Sequence, residues 1–316
     1  MSDDLTDSPP AKTGADAWPW YYSLTAFIAG FVVAQVFIVF LFAFWAIAGG
    51  DAENDTWFTV FASAINSVVF VAAAVFIARL SGPVTARDFG LIRAPFGQAL
   101  GKSIAIMVSY FIVLAIYNQL VNLTPDDAPE ELGANAGILG MFAFAVLVAV
   151  VAPFAEEIFY RGMVFRALAN GVGVWLAAII SGVLFGAVHI NSLDGDRLLQ
   201  VVPLGLLGIL FAILYVWAGT LYAPIALHAT NNALAVLVYA EKQDSTFGMI
   251  LSGVLWLLMM VACTVGWRLT DRDRGGMPPT LPPEPSPTAA QPKPYVAPSV
   301  APSQSFLRNP ERPESQ

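Results

Sequence analysis

Long apolar runs separated by short polar clusters recur along the chain. A bilayer core about 30 Å thick needs roughly 20 apolar helical residues to cross it. On that ruler the runs Trp18–Ala48, Trp57–Leu80, Gln98–Leu120, Ala136–Phe154, Val174–Ile190, Leu198–Ala218, Tyr222–Ala240 and Gly248–Trp267 predict eight spanning helices. Trp18, Trp20, Tyr21 and Tyr22 open the first run as an aromatic belt of the kind found at a membrane interface. The expected fold class is all-α, a polytopic transmembrane helical bundle. Its last stretch, 275–316, holds 12 of the 22 prolines and cannot bury enough apolar surface to fold, which predicts a disordered C-terminal tail.

The pattern divides the chain into a polar N-terminal segment (1–17), a first group of spans (18–135), a core group (136–240), a final span with a basic end (241–274) and the tail (275–316). The N-terminal segment lacks the basic start and small-residue cleavage site of a secretory signal, so the first run is expected to be retained.

Composition sharpens this picture. Hydrophobic residues make up 57% of the 316 positions and charged residues 12%, about half the charged share of an ordinary soluble domain. The net charge of -8 argues against a nucleic-acid partner, because neutralising phosphates needs clustered Lys and Arg. Cys263 is alone and cannot close an internal disulfide; in an apolar run it reads as a small packing residue. Connections after the odd-numbered runs carry only Arg197 and Lys242 as basic residues, and the other 13 of 15 fall on the opposite face. The positive-inside rule then predicts cytoplasmic N- and C-termini for an integral, multi-pass protein. The expected setting is the plasma membrane of a prokaryote.

An ionisable side chain inside a span costs about 2.5–3.5 kcal/mol on insertion scales, so those that occur there mark function. They are concentrated here: Glu156, Glu157 and Arg161 at the end of the fourth run, His189 in the fifth, and His228 with Asn231 and Asn232 in the seventh. Both histidines of the chain belong to this set. On a helix Glu157 and Arg161 stand four apart and can pair, which can equally be a structural device. Glu156 lies about 100° further round, on a neighbouring face. His228 and Asn232 again share a face and can act on one group.

Depth along the helices agrees with a shared site. Glu156 precedes Val172 by sixteen residues and His189 follows it by seventeen, with the turn Asn170-Gly171-Val172-Gly173 between them. In an antiparallel pair both would lie about 25 Å from the turn, provided the fourth helix runs on past Phe154 to about Leu168. His228, a turn or two from its own connection, is harder to align. A buried carboxylate beside histidines suits activation of water, and His228 and Asn232 are donors for the oxyanion of a tetrahedral intermediate. Alternatively, Glu156, His189 and His228 supply the three ligands of an open site for a divalent metal such as zinc. Spacing does not choose between these. Phe185, Asn231, Asp194 and Asp196 read as packing or solvated residues.

The runs Glu156-Glu-Ile-Phe-Tyr-Arg-Gly162, Phe185-Gly-Ala-Val-His189 and His228-Ala-Thr-Asn-Asn232 together resemble the three signatures EExxxR, FxxxH and HxxxN of the CPBP family, the CAAX-prenyl-protease type of membrane endopeptidase also called the ABI family. The resemblance covers about 136–240 and leaves the first three spans, the last span and the tail unmatched. It implies an all-helical protein with a catalytic cavity inside the bundle. It also implies that Glu156 and His189 activate water, that His228 and Asn232 form the oxyanion site, and that Glu157 and Arg161 orient the first glutamate. The family is labelled metalloprotease, although a metal-free glutamate mechanism is also held for it. The implied partners are the lipid bilayer and a membrane-associated peptide or protein, lipidated or not.

Other classes fit less well. Ser181-Gly182 follows Ile179-Ile180, which fails the Gly-x-Ser-Gly context of a rhomboid-type serine protease, and His-Glu-x-x-His is absent. No Asp lies inside a run, as an aspartyl pair would need. A proton-coupled transporter would also use intramembrane Glu, His and Arg, but no inverted repeat is visible. A non-proteolytic immunity or scaffold protein is the remaining alternative.

Overall fold

The computed structural model describes residues 14–51, 55–121, 134, 136–189 and 195–270. The expected tail, the first 13 residues and the acidic connection after the third run lie outside the described residues. After a short 3-10 turn at Gly14–Ala17 come α1 (Tyr21–Ile47), α2 (Thr56–Arg79), α3 (Phe96–Val121), α4 (Gly137–Val172), α5 (Val174–Ala187), α6 (Gly195–Ala218), α7 (Tyr222–Lys242) and α8 (Thr246–Leu269). Among the described residues there is no strand. The architecture is all-α, and each helix coincides with an apolar run.

Local chemistry accounts for several boundaries. Asp55 caps α2 by accepting from the backbone N–H of Trp57 at 2.8 Å, and Ser245 caps α8 through Gly248 N at 3.1 Å. Gly173 separates α4 from α5 at φ +80° and ψ 164°, a backbone region open essentially to glycine alone.

Not every helix is built to span. Six are long and apolar enough to cross a membrane. The exceptions fall at the chemistry: α5 has 14 residues, about 21 Å of rise, and α7 interrupts its apolar surface with His228, Thr230, Asn231 and Asn232. Conversely α4, with 36 residues, is about 54 Å long and runs well past Phe154, as the depth argument required.

Outward faces of α1 and α3 are apolar and exposed, including Phe40, Phe44, Ile112 and Ile116, as lipid contact requires and water would not tolerate. Inside, α4 is the axis. Phe159 stacks on Phe70 of α2 at 4.5 Å between ring centres, and the second half of α4 also touches α1, α5 and α6. Helices α5 and α6 meet backbone to backbone through glycines. A Cβ at Gly186 would lie 2.7 Å from Gly205 N and 2.8 Å from Val201 O, contacts possible only without a side chain.

Candidate active site

Helix α4 is not a uniform α-helix. It winds as π-helix at Leu147–Val151 and again at Glu157–Phe165, with an α-helical stretch, Ala152–Glu156, between them. Such wide turns hold one extra residue and gather at functional sites. Glu156 and Glu157 therefore straddle a change of helical register.

The two carboxylates take different partners. Glu157 Oε1 is 2.8 Å from Arg161 Nη1 and 3.0 Å from His228 Nδ1, with all three residues buried. Arg161 Nη2 donates to the carbonyl of Gly208 on α6 at 2.8 Å, where the glycine packing has brought the backbone close. Its guanidinium lies 4.7 Å from the Phe185 ring centre and 5.1 Å from that of Phe211, so aromatic faces cover what the hydrogen bonds do not. Removing one partner of such a buried pair typically costs about 3–5 kcal/mol.

Glu156 is partly exposed, and its Oε2 is buried without a hydrogen bond to the protein. That oxygen lies 3.9 Å from His228 Nε2. The imidazole of His228 is thus set between the glutamates, hydrogen-bonded to one and facing the other. A carboxylate can only accept, so Nδ1 carries the proton shared with Glu157. Phe211 flanks this ring at 4.9 Å and Phe185 at 5.8 Å between centres.

Depth along the helices predicts that Glu156 faces His189, whereas the histidine within 4 Å of both carboxylates is His228. His189 is exposed, two residues beyond the end of α5, and no hydrogen bond or ion pair joins it to Glu156 in the described structure. Its Nδ1 donates to the carbonyl of Phe185 at 2.7 Å, leaving Nε2 as the lone-pair nitrogen of the neutral ring. Phe185 touches both histidine rings, at 4.9 Å for His189, so it bridges them rather than merely filling the core. Asn232 gives its Nδ2 to the carbonyl of Val148 at 2.9 Å and accepts from Asn231 at 3.2 Å. Phe211, Gly208 and Val148 escaped the sequence reading. An apolar ring and two backbone carbonyls leave no signal in residue type.

An open zinc site needs three protein ligands. Among the described residues no three His, Cys, Asp or Glu side chains are grouped so as to hold an ion. Both histidines keep Nε2 open and Glu156 Oε2 faces that of His228, but no third donor is grouped with this pair among the described residues. As placed, the donors do not fit the three-ligand arrangement, and the chemistry below runs through side chains alone.

Comparisons with known proteins converge on this constellation. Residues 138–234 match the family model described as type II CAAX prenyl endopeptidase Rce1-like. The chain is 26% identical over 251 residues to YdiL of Bacillus subtilis (strain 168), named as a candidate membrane peptidase, covering 74% of this chain and 97% of the relative. It is 26% identical over 140 residues to the membrane-embedded CAAX protease MroQ of Staphylococcus aureus (strain USA300), covering 40% of this chain and 54% of the relative. No solved structure matches. The segment matched by the family model carries all three motifs, from Glu156 to Asn232, and with these relatives the core of this multi-pass membrane protein is similar to the membrane proteases of the CPBP family.

Proposed function

We propose that the chain is an intramembrane endopeptidase that hydrolyses a peptide bond of a membrane-associated protein or peptide with water activated by Glu156. The observation that carries this reading is the 3.9 Å approach of the unpartnered Glu156 Oε2 to the Nε2 of a histidine whose orientation Glu157 and Arg161 fix. A carboxylate with no competing donor is free to take a proton, and a neighbouring nitrogen held in one orientation is ready to meet developing charge.

In the proposed sequence Glu156 takes a proton from water as the water oxygen attacks the scissile carbonyl carbon. The carbonyl π pair moves to oxygen, and His228, when it bears protons on both nitrogens, donates from Nε2 to that oxyanion while Nδ1 stays on Glu157. Collapse expels the amine, which takes the proton from Glu156. His189, with its lone pair at Nε2, is proposed to hold the attacking water from the opposite side, as the family resemblance implies. Asn232 would join the oxyanion site through its second N–H, the first being given to Val148.

The test is to compare wild type with Glu156→Gln on membrane-anchored peptides, with and without a prenyl group, in detergent. Cleavage by wild type and none by a folded variant supports the proposal. Equal cleavage by both would overturn it.

A further inference from the structure

The π-helical turn at Leu147–Val151 leaves a bonding problem that its sequence cannot solve. In that turn the backbone N–H of Ala152 bonds to Leu147 O, five residues back. Counted in the same register, Val148 O awaits the N–H of residue 153. Residue 153 is proline, which has none. A buried carbonyl left without a donor costs about 1–3 kcal/mol.

Asn232 supplies the missing donor from α7, with Nδ2 2.9 Å from Val148 O. The amide orientation is fixed twice: turned over, its Oδ1 would face the carbonyl, whereas as placed it accepts from Asn231 Nδ2 at 3.2 Å. One turn earlier on the same helix, His228 bonds to Glu157. Helix α7 is therefore pinned to α4 at two points, Val148 and Glu157, and Glu156 lies between them on the segment Ala152–Glu156 that contains Pro153.

We infer that Asn232 is a positioning residue that replaces the N–H absent from Pro153, holds the π register of α4 and so sets the spacing between Glu156 and His228. The consequence for catalysis rests on the proposed function above, whereas the clamp is testable without any substrate.

The chain has two histidines, so a histidine-labelled sample in detergent gives two imidazole Cε1–H resonances, assigned with His189→Gln. Asn232→Ala is expected to shift the His228 resonance and to lower protection from amide hydrogen exchange across 148–156. Adding Pro153→Ala restores a backbone N–H opposite Val148 O. The double variant should therefore return both readouts toward wild type, although it carries one more substitution. A double variant no closer to wild type than Asn232→Ala overturns the clamp, and so does an Asn232→Ala protein whose His228 resonance stays in place. Should Asn232→Ala fail to fold, the double variant decides: recovery of folded protein supports the clamp and continued failure overturns it. Loss of peptidase activity has no bearing on any of these readouts, so failure of the clamp and failure of the peptidase assignment remain distinct.

Discussion

Nδ1 of His228 and Oε1 of Glu157 are 3.0 Å apart, and the same carboxylate oxygen lies 2.8 Å from Arg161 Nη1. One oxygen thus joins α7 to a guanidinium on its own helix that is tied in turn to the α6 backbone at Gly208. Glu157→Ala is expected to destabilise the protein by about 3–5 kcal/mol, because it leaves Arg161 charged and unpaired in the core. Thermal unfolding in detergent reads this directly. The Glu157→Leu/Arg161→Met double variant should recover much of that loss, because it removes both charges. Activity should stay absent in it, because His228 has lost the acceptor that orients it.

Glu156→Gln should behave in the opposite way. Its Oε2 makes no hydrogen bond and pairs with no cation closely, so the fold loses little. Cleavage of a membrane-anchored peptide should fall by at least about 10²–10⁴-fold, the usual worth of a general base. An unfolding temperature within a degree or two of wild type would confirm that the loss is chemical.

Two glycines separate packing from helix propensity. Gly186→Ala forces a methyl against Gly205 N and Val201 O, backbone atoms that cannot swing aside. It should destabilise by about 1–3 kcal/mol, the range for overpacked cores, and weaken activity by moving the Gly208 carbonyl from Arg161. Gly253→Ala on α8 meets nothing within 4 Å and should be neutral or stabilising by up to about 1 kcal/mol. Unfolding curves of the two variants side by side make the comparison.

Metal dependence follows from how the donors are placed. Among the described residues Glu156 Oε2 faces Nε2 of His228, and no third donor is grouped with them. Chelator treatment should therefore leave Glu156-dependent cleavage within about two-fold, and metal content should not track activity across His189→Ala and His228→Ala. Stoichiometric zinc, lost together with activity in both variants, would refute this.

Apolar run length locates every α-helix among the described residues, because a run of bilayer length has few alternatives. The Glu157–Arg161 pairing was equally legible, since a four-residue spacing survives in the observed geometry. The partner of Glu156 was not. Equal spacing from the turn holds for an unbroken α-helix, whereas each wide turn of α4 inserts a residue and rotates everything beyond it. Nothing in Leu147-Val-Ala-Val-Val151 announces a π turn; Pro153 hints at one only once Asn232 is seen to fill its place. The two short or polar helices, α5 and α7, also looked like spans by hydrophobicity, since a run of apolar letters does not reveal how few of them face lipid.

The brevity of α5 bears on where water and lipid meet. A 14-residue helix reaches about 21 Å into a hydrocarbon slab of about 30 Å, a hydrophobic mismatch of about 9 Å. Thinning of the slab at that point is one way to accommodate so short a helix, and it would bring solvent toward the helix end. His189 stands two residues past that end, exposed. On the proposed function, a scissile bond anchored in the membrane would then need little lifting to meet water at His189.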